Sequence, residues 1–121
     1  MYTDFTEMPV WKEAMKFAEA VFILTEPLPR KEDYGLTSQI RRSSLSISSN
    51  IAEAFGRFHT AEKVNLYFYA RASAQEAKSQ LLYGRNVGYF NQQSTEENMK
   101  MAASIIEALN KLIKSLKNNH A

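Results

Sequence analysis

The stretch YGLTSQIRRSSLSISSNIAEAFGR, residues 34–57, is the most informative part of this chain about its architecture. Its apolar side chains recur in steps of four and three, which places them on one stripe of an α-helix. Five serines lie between Arg42 and Asn50, although serine is only a moderate helix former. Small side chains at these positions indicate that a neighbouring backbone approaches closely. We therefore predict a helix that is buried on more than one side.

The composition is that of an ordinary globular protein. The chain has 121 residues, of which 45% are hydrophobic and 23% are charged, so it is long enough to bury a core. We expect one domain over residues 1–121. The absence of cysteine excludes disulfides, thiolate metal sites and a cysteine nucleophile. The net charge of +2 is compatible with a weakly bound anionic partner, but it lacks the basic tract of a dedicated nucleic-acid-binding protein.

Neither secretion nor membrane insertion is expected. The first residues lack the basic start of a signal peptide, and no long apolar run follows them. The most apolar window, residues 17–24, is too short to cross a bilayer and contains Glu19. The expected location is the cytoplasm, with no membrane partner.

Three further segments repeat the spacing of the opening stretch, which predicts four helices over residues 9–27, 36–58, 60–87 and 95–117. The predicted seam positions are Val10, Ala14, Phe17, Val21, Leu24 and Leu28; Ile40, Ser44, Ile47, Ile51, Ala54 and Phe58; Ala70, Ala74, Ala77, Leu81, Gly84 and Gly88; Asn98, Ala102, Ile105, Leu109, Leu112 and Leu116. No strand-like alternation occurs, and the short connections favour antiparallel neighbours. The predicted fold is all-α, an antiparallel up-down-up-down four-helix bundle.

Residues at the helix ends support these boundaries. Pro9 suits a first helical turn, and Thr60 is a typical N-cap for the third helix. Gly88 is able to close the third helix in the left-handed conformation. Ser94 and Glu97 have the spacing of a capping box for the fourth helix.

Apolar side chains also lie away from the seams, most clearly at Leu45 and Phe68. One interpretation is a bundle with wide apolar stripes that meet at its corners. The other, which we favour, is an exposed apolar patch that mediates closed self-association. The candidate interface residues are Leu45, Ser48, Ala52, Val64, Phe68 and Leu82.

The most specific motifs of the chain are residues 34–42, 49–53 and 55–57. They resemble the four helix bundle protein family, whose founding members are encoded in intervening sequences of bacterial large-subunit ribosomal RNA genes. Val10-Trp11 resembles the family's first helix, and Gly88-Tyr89 resembles its third connection. The resemblance covers nearly the whole chain.

The resemblance implies a left-handed bundle that assembles into a ring, most often a homopentamer. It also implies kinship with the accessory variability protein of diversity-generating retroelements, a basic pentameric barrel that engages a reverse transcriptase and nucleic acid. It implies no catalytic activity, and the molecular role of the family is not established.

A polar ridge follows the second helix at steps of three and four. Its members are Gln39, Arg42, Ser46, Asn50, Glu53 and Arg57. One interpretation is a recognition strip for a partner or for nucleic-acid phosphates. The other is a hydrogen-bonded strip that fixes the register between helices or subunits. We favour the second, because a glutamate paired with an arginine is a poor neighbour for phosphate.

Basic side chains elsewhere offer further phosphate contacts, and a ring repeats the +2 charge of each chain. The alternative function is therefore a sequence-nonspecific RNA- or DNA-binding accessory protein. The candidate residues for a protein or nucleic-acid partner are Arg41, Arg42, Asn50, Arg57, Arg71 and Arg85.

Catalysis finds little support in the sequence. His59 and His120 have no carboxylate at a spacing typical of a catalytic triad. The Glu-x-x-His repeat of di-iron bundles and the glycine-rich phosphate loop are both absent. We predict a non-enzymatic homo-oligomeric scaffold that binds a protein or nucleic-acid partner, with no cofactor, no metal and no small-molecule substrate.

Overall fold

A computed structural model describes residues 1–119 and folds them into four α-helices. The helices are α1 (Pro9–Thr25), α2 (Leu36–Phe55), α3 (Thr60–Asn86) and α4 (Gln92–Asn118). Short 3-10 turns at Phe5–Glu7 and Arg30–Glu32 precede α1 and α2. The all-α prediction is confirmed, with no strand in the described part of the chain. His120 lies outside the described residues.

The four helices pack around one core, each against two neighbours. Each helix contacts its neighbours in sequence, α1 also contacts α4, and neither diagonal pair of helices is in contact. Ser43 of α2 bonds to Gln80 of α3, whereas Ser46, one turn later, bonds to Ser73, so these two helices run antiparallel. The packing is that of the predicted four-helix bundle. Its left-handed sense stays a prediction.

The predicted seams form the core. The side chains with no exposed surface include Phe17, Ile40, Ile47, Ile51, Leu81 and Leu109. Phe58 differs, since it is 89% exposed. The reason is that α2 ends at Phe55, and the chain then turns towards α3 instead of continuing the helix.

The serines of α2 are buried on two sides of the helix. Ser43 and Ser48 are 3% and 2% exposed, and they lie about 140° apart around the helix axis. The Ser48 hydroxyl donates to the carbonyl of Leu45 at 3.0 Å, so its burial leaves no unpaired donor. On the neighbouring helix α3, the seam positions include the fully buried alanines Ala74 and Ala77. Small side chains on both helices permit the close approach that the serines predicted.

Two helix N-termini differ from the sequence-based expectation. The N-cap of α4 is Asn91, whose side-chain oxygen accepts a hydrogen bond from the Ser94 amide at 2.7 Å. The predicted capping box is wrong, because Ser94 already lies inside the helix and Glu97 accepts from the side chain of Gln93 instead. In α3, His59 occupies the N-cap position and Thr60 is the first helical residue.

Two glycines, Gly84 and Gly88, shape the turn from α3 to α4. Gly88 has a φ of +89°, as predicted, and donates to the Arg85 carbonyl at 3.0 Å. The amide of Tyr89 reaches back to the Gly84 carbonyl at 2.8 Å, which completes a Schellman motif. Phe90 is 4% exposed, and its ring lies directly over Gly84, where a side chain would otherwise be.

Candidate interaction faces

An apolar groove of about 250 Å³ runs between α1 and α2. We call it the α1/α2 face; it is lined by Met15, Ala18, Glu19, Phe22, Arg41 and Leu45. Phe22 and Leu45 are 50% and 52% exposed, although both are large apolar side chains. Apolar surface of this kind is typical of a protein interface.

Arg41 holds this face in place. Its Nε donates to the Thr25 hydroxyl at 2.8 Å, and its Nη2 donates to the Phe22 carbonyl at 3.3 Å. The guanidinium also lies 4.3 Å from the centre of the Phe22 ring. A cation next to the last carbonyls of α1 is favourable there. Arg41, predicted as a partner contact, thus has a structural task within the chain.

A second apolar groove lies between α3 and α4 and has a volume of about 470 Å³. We call it the α3/α4 face; it is lined by Thr60, Ala61, Val64, Asn65, Phe68 and Lys117. Its largest apolar side chain is Phe68, which is half-buried. Arg71 and Lys117 lie over the Phe68 ring, at 4.9 and 5.0 Å from its centre. Arg71 also donates to Asn110 of α4 at 2.6 Å. This face is therefore an aromatic surface with a basic rim.

The predicted interface residues divide between these two faces. By helical position, Leu45 and Ala52 lie on the side of α2 that meets α1, whereas Phe68 and Leu82 lie on the side of α3 that meets α4. Two members of the set contribute little accessible surface, because Ser48 is 2% exposed and Val64 is 7% exposed in the single chain. Both are packed against their own bundle.

The polar ridge of α2 is largely bonded within the chain. Asn50 donates to the backbone and side-chain oxygens of Ser46 at 2.8 and 3.0 Å, and Ser46 bonds to Ser73 of α3 at 3.0 Å. These contacts favour a role in fixing the register of α2 against α3. Gln39 and Arg42 differ from the rest, because their side chains have no hydrogen-bond or ion-pair partner among residues 1–119.

The predicted basic contacts do not gather on one surface. Arg57, at the end of α2, pairs with Glu53 at 2.9 Å and lies 3.9 Å from Glu62. Arg85, at the end of α3, donates to the neighbouring Asn86 at 3.2 Å. Arg42 lies in the groove between α2 and α3. The structure thus spreads these guanidinium groups over different parts of the bundle.

Glu32 joins two connections of the bundle, a contact that the sequence interpretation missed. Its Oε1 accepts from the Leu36 amide at the start of α2 (3.1 Å), and its Oε2 accepts from the Tyr89 hydroxyl at 2.9 Å. The carboxylate therefore joins the α1–α2 connection to the α3–α4 connection. The sequence does contain a signal for this contact. Gly35 stands at the N-cap of α2 and has no side chain to accept from the first amides of the helix, so another acceptor is needed there.

Because of the hydrogen bonds to Glu32, we expect the stability of the fold to vary with pH in the acid range. Donation by the Leu36 amide, and next by the Tyr89 hydroxyl, lowers the pKa of Glu32 from its ordinary value of 4.5. A lowered folded-state pKa stabilises the fold above pH 4.5, and this stabilisation disappears as the pH falls through the folded-state pKa. We expect Glu32→Gln to lower the urea midpoint at pH 7 and to flatten the loss of stability between about pH 5 and pH 3.

A matched control for this pH dependence is Glu26→Gln. Glu26 is exposed and its carboxylate has no hydrogen-bond partner within residues 1–119. Urea titrations at several pH values compare the two variants with the unmodified chain. An acid dependence that is the same in Glu32→Gln and in Glu26→Gln would contradict the assigned role of Glu32.

Two further observations concern metal binding and membranes. Residues 1–119 contain no group of three or more histidine, cysteine, aspartate or glutamate side chains placed to hold a metal ion. Over the same residues, no helix has the length and apolar character needed to cross a membrane.

The sequence matches a family model described as 23S rRNA-intervening sequence protein over residues 6–111. The chain belongs to this family. The match spans all of α1, α2 and α3 and most of α4. No curated protein matches the chain significantly.

A crystal structure with the same fold comes from Bacteroides thetaiotaomicron and is described as a protein of unknown function from the S23 ribosomal protein family. It is 24% identical to this chain, with a TM-score of 0.79, and the alignment covers 87% of this chain and 95% of the other. At this identity the similarity establishes the fold alone. It agrees with the bundle expected of a 23S rRNA-intervening sequence protein.

Proposed function

We propose that the chain is a non-enzymatic scaffold that assembles with copies of itself into a closed ring, and that the ring binds a macromolecular partner. The observation that carries this proposal is the presence of two apolar grooves on different helix pairs, α1/α2 and α3/α4. The cysteine-free sequence fits a reducing compartment, and the cytoplasm is the proposed location.

The positions of the two faces favour a head-to-tail contact. The α1/α2 face and the α3/α4 face share no helix and lie on opposite edges of the bundle. If one face of a chain meets the other face of the next chain, the interface is heterologous, and such contacts close into a ring when the rotation permits. Five copies is the number that the resemblance to the four helix bundle protein family implies.

The charges on the two faces favour the same head-to-tail contact. The α1/α2 face carries one acid, Glu19, and one base, Arg41, whose guanidinium is bonded to Thr25 and Phe22 within the chain. The α3/α4 face carries two bases, Arg71 and Lys117, around Phe68. Opposite charges around an apolar centre orient the two partners, and like-charged faces would repel each other. The contact between unlike faces is therefore favoured over the contact between two copies of the α3/α4 face.

A charge placed on the α1/α2 face tests the assembly. We expect Leu45→Glu to reduce the mass measured by light scattering, because the interface would lose the apolar contact of Leu45 and would have to desolvate a carboxylate, at a cost of several kcal/mol. Leu45 is 52% exposed in the single chain, so the bundle itself tolerates the change. Ile23→Glu is the matched control, since Ile23 is 70% exposed on α1 but does not line the groove. Equal masses for both variants would contradict the proposed interface.

Nucleic-acid binding remains the second candidate for the role of the ring, but protein binding has more support. Of the five candidate arginines, only Arg42 is without a partner within residues 1–119. A phosphate backbone is bound by many free cations at once. The few free guanidinium groups of this bundle fit a smaller and more specific contact.

A further inference from the structure

A polar groove follows the contact between α2 and α3. It consists of two adjoining grooves of about 360 and 420 Å³ that share Gln39. One end lies at Ser46 and Ser73, and the other at Gly35 and Tyr83. The advance along α2 from residue 35 to residue 46 corresponds to about 16 Å. This length matches about five residues of extended polypeptide.

Opposite charges face each other across this groove. Arg42 on α2 is exposed and has no partner within the described residues. Glu76 lies on the α3 side of the same groove and accepts one hydrogen bond, from Gln80 at 3.3 Å. The two charged groups do not form an ion pair with each other within 4.0 Å. The groove between them therefore has one positive wall and one negative wall.

The floor between these walls consists of small hydroxyl side chains. Ser43 donates to Gln80 at 2.6 Å, and Ser46 bonds to Ser73 at 3.0 Å, so the floor is rigidly bonded across the two helices. Ser43 is 3% exposed, and Ser46 already accepts a hydrogen bond from Asn50 at 3.0 Å. The half-buried Ser73 hydroxyl has Ser46 as its one hydrogen-bond partner within residues 1–119, so it retains acceptor capacity for a further donor such as a peptide N–H. At the far end Tyr83 is 53% exposed, and tyrosine is enriched among the residues that anchor interfaces.

The charge pattern selects the class of ligand. Glu76 and Glu32 both line the groove, against the single free guanidinium of Arg42, so a polyanion such as nucleic acid is disfavoured. A polypeptide supplies backbone donors and acceptors together with side chains of both signs. We propose that the groove binds an extended peptide segment whose acidic side chain contacts Arg42 and whose basic side chain contacts Glu76.

This inference deepens the proposed scaffold function by naming the partner as a polypeptide. It rests on that function only in one respect, that the groove stays open in the ring. The groove lies between α2 and α3, whereas the proposed ring contacts lie between α1 and α2 and between α3 and α4. A ring built from those contacts leaves the groove accessible.

Selection from a random peptide library on the immobilised full chain tests the proposal. We expect enrichment of peptides that contain one acidic and one basic residue at a fixed spacing. A selected peptide should bind Arg42→Ala roughly tenfold more weakly or worse, because a hydrogen-bonded charge is lost. Arg85→Ala is the control and should leave affinity unchanged, since Arg85 lies outside the groove. Arg42→Glu should lose the selected peptide and bind its version with lysine in place of the acid.

Light scattering on the same variants separates this proposal from the ring. A single-chain mass combined with Arg42-dependent peptide binding would remove the ring and leave the groove as a binding site. The peptide site would be overturned if the mass is that of a ring but the selection shows no charge-dependent enrichment. It would also be overturned if a selected peptide binds Arg42→Ala and the unmodified chain with equal affinity. An unchanged mass in Arg42→Ala together with the loss of peptide binding is the result that we expect.

Discussion

Gly84→Ala should destabilise the fold by about 1–3 kcal/mol, or by more if the neighbouring turn is unable to move. A Cβ at this position would overlap the ring of Phe90, and the relief of this overlap requires a shift of the turn. Phe90 is 4% exposed, so its ring has no free direction to move without losing core contacts. The amides of Tyr89 and Phe90 both bond to the Gly84 carbonyl, at 2.8 and 3.2 Å, which holds the ring over the helix.

Gly56→Ala is the control for this prediction. A Cβ at residue 56 would meet only the Glu53 carbonyl, at an ordinary 3.5 Å, and the backbone there has a φ of −79°. Urea unfolding followed by circular dichroism should give a much smaller loss of stability for Gly56→Ala. In a Phe90→Ala background the additional cost of Gly84→Ala should shrink, because the two residues are in contact. Equal effects of the two glycine substitutions would contradict the described turn.

Mixing Leu45→Glu with Phe68→Glu should produce a complex of two chains from two variants that do not form rings alone. Leu45→Glu damages the α1/α2 face and leaves the α3/α4 face intact, and Phe68→Glu does the reverse. One functional contact therefore remains between the two kinds of chain. A carboxylate at the apolar centre of the other contact costs several kcal/mol and prevents ring closure.

The mixing result separates two kinds of interface. If each face paired with its own copy, Phe68→Glu would leave the α1/α2 contact unaffected, and this variant alone would remain a dimer. Analytical ultracentrifugation of each variant and of an equal mixture measures the difference. A mixture that contains only single chains, or a stable dimer of one variant by itself, would contradict the head-to-tail contact.

The helical core could be predicted because its signal is repeated along the chain. Ile40, Ile47 and Ile51 follow one spacing in α2 and all lie in the core. The ends of the helices were less predictable, since a few local bonds decide them. Asn91 and Ser94 are both typical cap residues, and the sequence pattern did not distinguish between them. The observed bond from the Ser94 amide to Asn91 identifies the cap.

The candidate interface was predicted as a set of individual side chains, and only some of these are exposed in the single chain. Helical spacing placed Leu45 and Ser48 on one side of α2, but only Leu45 retains exposed area. A difference of about 60° around the helix separates the two positions, and this is enough to turn one side chain inward. Helical spacing also did not reveal that Leu45 and Phe68 lie on opposite edges of the bundle, because that depends on which helices are neighbours.

Contacts between distant segments lay beyond the sequence pattern. The hydrogen bond from Tyr89 to Glu32 joins positions that are 57 residues apart, in two connections without any periodic signal. The polar groove is a similar case. Arg42 was visible as part of a ridge on α2, but its opposite wall at Glu76 depends on the register between α2 and α3.

The mass of the unmodified chain in solution distinguishes a closed ring from a single chain and from an open assembly. One chain has a mass of 13.8 kDa, and light scattering across a range of concentrations measures how many chains associate. We expect a single species of about five chains, with a mass that does not grow further as concentration rises, because a closed ring has no free face. A mass of 13.8 kDa at every concentration, or a mass that grows without limit, would contradict the closed ring.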